Sequence, residues 1–185
     1  MTKLLPKELV HARELIDQAK FGEALEIIEN FENVENVESL LPEDQLSVLL
    51  IKVSVYRYTH QYEKRLKISE RAYQMSQDLG LVSESIEALI GKAVIAFIGD
   101  FDKASTYVKD AERRLNSLAV DPSTGMLRRS LLLIKSWILL LKKNLNGAAE
   151  SAQECLKLHK EEKFGNKLDL AMTYLVLGFI TLSQG

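Results

Sequence analysis

Four short turns along the chain are each followed by the same pair of residues, and this recurrence limits the folds that the chain can adopt. An aromatic or large apolar residue comes first, and a small or basic residue follows three positions later. The four pairs are Phe21 and Ala24, Tyr62 and Arg65, Phe101 and Ala104, and Leu145 and Ala148. The leading residues are 41, 39 and 44 positions apart. A fixed period of this size is typical of repeat proteins, in which each unit buries its apolar side against the next.

The residues between these turns predict helices, because apolar side chains recur at spacings of three and four. Leu9, Ala12, Ile16 and Ala19 are one example, whereas alternation of apolar and polar residues is nowhere sustained. The sequence therefore predicts an all-α protein. Nine helices are expected, near residues 6–19, 22–33, 42–59, 62–79, 82–98, 101–118, 122–143, 146–161 and 167–184.

Residues with particular backbone preferences mark several predicted helix ends. Pro6, Pro42 and Pro122 suit the first position of a helix, where the N–H that proline lacks has no partner within the helix. Asp121 suits the capping position before Pro122, and Gly80 suits a left-handed residue after a helix. Short turns are predicted at residues 20–22, 60–61, 99–100 and 144–147.

The length of 185 residues suits one domain and is short for two. We expect a single repeat domain over residues 1–185. Its units are predicted near 5–38, 42–80, 82–120 and 122–163, with a partial fifth over 167–185. The partial unit is apolar on all sides, whereas a terminal repeat helix normally has a polar outer face. This end has two interpretations. The chain is a piece of a longer array, or the last helix is covered by a second copy of the chain.

Two short motifs resemble the tetratricopeptide repeat (TPR) family. GDFDKA at residues 99–104 resembles the turn of this family, and YLVLG at residues 174–178 resembles the start of its first helix. The spacing near 40 is longer than the usual TPR period of about 34 residues, as in variants with lengthened helices. The resemblance covers nearly the whole chain. It implies a right-handed α-solenoid of stacked antiparallel helix pairs.

The resemblance also implies a concave groove lined by the first helix of each unit. Transferring the groove positions of the family to this chain gives a set of candidate partner-binding residues. They are Arg13, Asp17, Leu50, Ser54, Arg57, Tyr58, Leu89, Ala93, Phe97, Leu133, Trp137, Leu141 and Phe179, with Leu175 and Leu182 at the end. An amphipathic helix is the favoured occupant, because spaced apolar anchors can lie in such a groove. In the alternative interpretation these side chains are core between the repeats.

A non-catalytic scaffold or adaptor that binds another protein or a peptide is the function that the sequence favours. Two alternatives stay open. In the first, the chain is a homo-oligomerisation module that forms a homodimer through Leu177 and Ile180 of the apolar last helix. In the second, it is a ligand-sensing regulatory domain of a larger protein.

Charge and hydropathy argue against nucleic-acid and membrane partners. The formal net charge is -2, with -7 over residues 1–50 and +5 over residues 51–185. The basic doublets at 113–114, 128–129 and 142–143 lack the interleaved aromatic residues on which single-stranded nucleic acid stacks. The longest apolar run, residues 130–143, is interrupted by Lys135 and falls short of the roughly 20 residues of a membrane span.

No catalytic, metal-ligating or cofactor-binding set is expected. His11, His60 and His159 lie in separate predicted units, and no complete set of metal ligands is expected around any of them. Cys155 occupies a predicted small packing position, where a thiol is expected to be buried and inert. A single cysteine and an N-terminal segment unlike a signal peptide indicate a cytoplasmic protein.

Overall fold

The computed structural model describes residues 6–35, 37–58, 62–119, 121–161 and 167–184. Within these ranges it contains nine α-helices, one short 3-10 helix (Val37–Ser39) and no strand. The nine are α1 (Lys7–Asp17), α2 (Phe21–Val34), α3 (Pro42–Tyr58), α4 (Tyr62–Asp78), α5 (Val82–Ala96), α6 (Phe101–Leu115), α7 (Pro122–Leu141), α8 (Leu145–Glu161) and α9 (Lys167–Gln184). The all-α prediction and the order of the helices are confirmed. The predictions for His60 and for the turn at 60–61 lie outside the described residues.

The helices belong to two compact units, Met1–Gly91 and Lys92–Gly185. The division falls within α5, inside the predicted third repeat.

Two cores hold the first unit together. One joins α1, α2 and α3 through apolar side chains, and the other joins α3 to α4 and α5. The first includes Leu9, Ala12, Ile28, Phe31, Ile51 and Val55, and the second includes Leu46, Leu50, Ala72 and Ala88. Gly91 of α5 lies close to both neighbouring helices, because a Cβ there would be 2.5 Å from Val53 Cγ1 and 3.2 Å from Ser69 Oγ.

The small residue of the repeated turn pattern is a packing residue. Ala24, Ala104 and Ala148 are completely buried. Arg65 occupies the same position in the second repeat, and only 1% of it is exposed. The turn pattern therefore marks a position inside the protein in every repeat, and in the second repeat a long cationic side chain fills it.

In the second unit α6 and α7 are antiparallel. Lys142 Nζ, just after α7, lies 2.7 Å from Asp102 Oδ1 at the start of α6. Two turns earlier in α7, Lys135 Nζ donates to Glu112 Oε1 near the end of α6 at 2.5 Å.

The contacts of α8 show that it is antiparallel to both α7 and α9. Cys155 Sγ, late in α8, lies 3.4 Å from the carbonyl oxygen of Arg129 early in α7, and 3.4 Å from Thr173 Oγ1 early in α9. At the other end of the pair, Ala148 and Ile180 share one core. Since α7 and α9 also contact each other, they lie side by side in the same direction.

Local chemistry explains several helix ends. Pro42 and Pro122 are the first residues of α3 and α7, as predicted. The Asp121 carboxylate accepts from the Thr124 N–H at 2.9 Å, and Thr124 Oγ1 accepts from the Asp121 N–H at 2.9 Å, which forms a capping box. Gly80 has the predicted left-handed backbone, with φ +68°.

Two details of the helix ends differ from the sequence predictions. Pro6 lies just before α1, where its carbonyl oxygen accepts from the N–H groups of Leu9 and Val10. Ala19 and Lys143 have left-handed φ values of 61° and 60° without being glycine. Their N–H groups donate to carbonyl oxygens in the last turns of α1 and α7, and these hydrogen bonds offset the cost of the left-handed conformation.

Candidate functional site

The predicted groove residues divide into buried and accessible ones. Leu50, Leu89, Ala93 and Leu133 are at most 2% exposed, so their side chains face the protein interior. The remaining groove residues are partly or fully accessible: Arg13, Asp17, Ser54, Arg57, Tyr58, Phe97, Trp137, Leu141, Phe179, Leu175 and Leu182. Only the second set can contact a partner without opening the core.

The accessible groove residues of α7 and α9 form one surface, which we call the apolar face. It consists of Trp137, Leu141, Leu175, Phe179 and Leu182. The rings of Trp137 and Phe179 meet edge to face, with centroids 6.0 Å apart at 64°. Leu141 and Leu182 lie about one turn further along these parallel helices, so they extend the same surface. Phe179 is 45% exposed and Leu182 is 80% exposed, and no residue from 170 to 184 is charged.

Trp137 connects this face to the interior. Its ring packs against two core clusters, one around Val176 and Ile180 and the other around Leu133 and Cys155. Its indole N–H is buried and meets no acceptor among the described residues. A buried donor in that condition costs about 1–3 kcal/mol, which the packing of the ring against these two clusters must offset.

The predicted self-association face needs a correction at Ile180. Ile180 is 4% exposed and packs with Ala148 and Ala152 of α8, and Leu177 is half-buried against the same core. Ile180 lies one helical turn after Val176 and therefore on the same side of α9, which faces α8. The exposed apolar residues of α9 are Tyr174, Leu175, Phe179 and Leu182.

Two further exposed apolar residues adjoin the predicted groove residue Phe97. Phe97 meets Phe101 edge to face at 5.7 Å between ring centroids, and Ile98 is 58% exposed. From the sequence, Phe101 was expected only as a residue of the repeated turn. Phe101 lies near the end of α7, because Lys142 just after α7 donates a hydrogen bond to the neighbouring residue Asp102.

The accessible groove residues of the first unit are mostly polar. Tyr58 stacks on Phe21 with ring centroids 4.0 Å apart, and the Arg57 guanidinium lies 5.2 Å from the centre of the Tyr58 ring. Arg13 Nη1 lies 3.8 Å from Glu87 Oε2.

In the second unit, titratable groups of α7, α8 and α9 lie close together and form a second cluster. Arg129 and Asp169 are 4% and 5% exposed, and Cys155 is completely buried, as predicted. Burial raises the pKa of the Cys155 thiol to about 11, against a smaller opposing effect of its hydrogen bond with Thr173. A thiol with this pKa stays protonated at neutral pH, so it lacks the reactivity of a catalytic cysteine.

His159 of the same cluster gives the protein a pH-dependent stability. Burial, and then the nearby charge of Arg129, lower the pKa of this imidazole to about 4, while Asp169 acts in the opposite direction. The unfolded chain therefore binds a proton more readily than the folded protein, and stability falls as the pH decreases from about 6.5 toward 4. We expect His159 to contribute about 1–2 kcal/mol of this loss, after allowance for solvent screening of a partly exposed ring.

Urea unfolding at pH 7.0, 5.5 and 4.5 measures this contribution. The His159→Gln variant should lose less stability across the series than the unmodified protein does. His11→Gln serves as the control, because it changes an exposed side chain of α1. This variant should lose as much stability between pH 7.0 and 4.5 as the unmodified protein does. Equal pH dependence of the His159 variant and the unmodified protein would contradict the assignment.

Within the described ranges no group of three or more His, Cys, Asp or Glu side chains is placed to hold a metal ion. No helix in that part of the chain is long and apolar enough to cross a membrane. In the basic doublets, Arg114 and Lys142 form ion pairs with Asp110 and Asp102, and Arg129 is buried.

Comparisons with known proteins assign no family to this chain. No family model, curated protein or solved structure matches it.

Proposed function

We propose that the chain is a non-catalytic protein-interaction scaffold that binds an amphipathic helix or peptide on the apolar face. The proposal includes a TPR-like, right-handed stacking of the helix pairs and a cytoplasmic location, in keeping with the single free cysteine. The observation that carries it is the edge-to-face pair of Trp137 and Phe179, which reaches the surface of α9 with Phe179 45% exposed.

The physical properties of this face suit a helical partner. Aromatic side chains that combine a buried body with an accessible edge are typical anchors of protein interfaces. Leu175, Phe179 and Leu182 follow the spacing of one helix face, so a partner helix with matching apolar spacing can lie along them. Charged residues at the partner's edges stay in water, because the adjacent surface of α9 contains none to pair with them.

Fluorescence of Trp137, the single tryptophan of the chain, tests the proposal directly. The probe is a synthetic peptide of about four helical turns with leucines at helical spacing and Lys and Glu elsewhere. We expect saturable changes in emission with a Kd of about 10–100 μM, since the face is small for a protein interface. Phe179→Glu and Leu182→Glu should each weaken binding by about tenfold or more.

Two controls separate specific binding from general hydrophobic contact. Leu66→Glu changes a 50% exposed leucine on α4 and should leave the affinity unaltered. A peptide of the same composition with alternating leucines should bind at least about tenfold more weakly, because its apolar residues do not share one helix face. Equal binding of the two peptides, or equal effects of the Glu substitutions at 66 and 182, would contradict the proposal.

Self-association is the second candidate function, and the uncharged surface of α9 favours it. Two copies that pack this surface against each other bring no like charges together. Sedimentation over a concentration series should then show a dimer that the double substitution Leu175→Glu and Leu182→Glu converts to a monomer. These exposed residues replace Ile180 in the test, because Ile180→Glu would place a charge in the core. A monomer at all concentrations of the unmodified protein would exclude the dimer.

A further inference from the structure

A cavity of about 500 Å³ lies in the first unit, where the starts of α1 and α3 meet the end of α2. Its apolar wall is formed by Ile27, Phe31 and Leu40. The other described lining residues are Pro6, Asn30, Val34 and three carboxylates, Glu8, Glu35 and Asp44. Cavities of this size are typical of sites for small organic ligands. Neither the TPR-like groove nor the apolar face includes these residues.

The segment between α2 and α3 gives the cavity a defined edge. Gln45 Nε2 donates to the carbonyl oxygen of Leu40 at 3.0 Å and to that of Glu38 at 3.3 Å. The Leu40 N–H donates to the Val37 carbonyl oxygen at 3.2 Å, and the Leu40 side chain packs on the core that contains Phe31. The apolar wall is therefore held by both hydrogen bonds and packing.

The charges at the cavity favour a cation. The three carboxylates contribute three formal negative charges, whereas no Lys or Arg lines the cavity among the described residues. The N-termini of α1 and α3 add about +0.5 charge each and the C-terminus of α2 adds about -0.5, so the helix ends offset only a small part of this negative charge. Glu8 and Glu35 are exposed, whereas Asp44 is 7% exposed.

We propose that this cavity binds an organic cation, with an ammonium group near the carboxylates and an apolar body against Ile27, Phe31 and Leu40. The same chemistry is available from a free amine and from the basic side chain of a peptide. This site lies in the first unit and is independent of the proposed function of α7 and α9.

Titrations of the isotope-labelled chain, followed by amide NMR shifts, test the site. The probes are 2-phenylethylammonium, its neutral counterpart 2-phenylethanol and the anion 3-phenylpropanoate. We expect shifts at the amides of Phe31, Leu40 and Asp44, and affinity about tenfold or more higher for the ammonium than for the alcohol. The anion should bind most weakly of the three, because it adds a charge of the same sign as the carboxylates.

A charge-neutralising double variant identifies the carboxylates involved. Glu8→Gln with Glu35→Gln should reduce the affinity for the ammonium about tenfold and leave the alcohol unaffected. The control, Glu26→Gln with Glu23→Gln, makes the same change in net charge at exposed positions outside the cavity lining and should have little effect.

A fourth probe distinguishes the two sources of the cation. If N-acetyl-leucyl-lysine amide binds more tightly than 2-phenylethylammonium, the proposal holds with a peptide side chain as the source. Tighter binding of the free amine supports it with a small molecule as the source. Equal affinity for the ammonium and the alcohol, shifts away from the cavity, or no saturable binding of the ammonium overturns the proposal.

Discussion

Gly91→Ala is expected to destabilise the first unit by about 1–3 kcal/mol, although alanine is the better helix former. The new Cβ would lie 2.5 Å from Val53 Cγ1, so one of the two atoms has to move. Val53 is 3% exposed and β-branched, and a branched side chain on a helix has essentially one favourable rotamer. The backbones of α3 and α5 must therefore separate, and the packing between them is lost.

Gly178→Ala is the matched control for this substitution. Gly178 also lies within a helix, but no atom is within 4 Å of a Cβ placed there. Alanine should stabilise the protein at this site by up to about 1 kcal/mol through helix propensity. Urea unfolding of both variants measures the effects. A gain in stability at both glycines would show that α5 does not approach α3 as closely as the structure has it.

Leu133→Ala is expected to cost about 2–5 kcal/mol, the usual range for a completely buried leucine. Leu133 is 0% exposed and belongs to the core that Cys155 and Trp137 share. Leu175→Ala makes the same chemical change on α9, where 48% of the side chain is exposed, and should cost less than about 1 kcal/mol. Urea unfolding followed by Trp137 fluorescence measures both values.

The same two variants separate core from binding surface among the predicted groove residues. Under conditions where both variants are folded, Leu133→Ala should bind the helical peptide as the unmodified protein does. Leu175→Ala should bind it more weakly, because Leu175 lies on the apolar face. Similar unfolding free energies for the two variants would contradict the burial of Leu133.

The parts of the fold that the sequence predicted correctly depend on neighbouring residues. The cap of α7 is formed by Asp121, Thr124 and the nearby Ala119 carbonyl oxygen, and the stop after α4 requires the left-handed conformation of Gly80. Helix order follows in the same way from apolar spacing within each segment. The left-handed backbones of Ala19 and Lys143 were not predicted, because neither residue is the glycine that usually indicates this conformation.

Whether a candidate site residue is accessible depends on contacts between distant segments. Leu50 and Phe179 both occupy groove positions on first helices, yet Leu50 lies in a core and Phe179 is 45% exposed. Spacing within one helix does not reveal which neighbour covers it. The cavity was missed for the same reason, since Glu8, Phe31 and Asp44 belong to three different helices.

Arg65 makes the second hairpin different from the others in a way that affects the order of assembly. A small residue at the packing position requires little space in the neighbouring helix. A buried guanidinium requires more space, and in a site shaped for alanine it would bury a charge against apolar side chains. We therefore expect Arg65 to disfavour shifted or swapped pairings of the second hairpin while the chain folds.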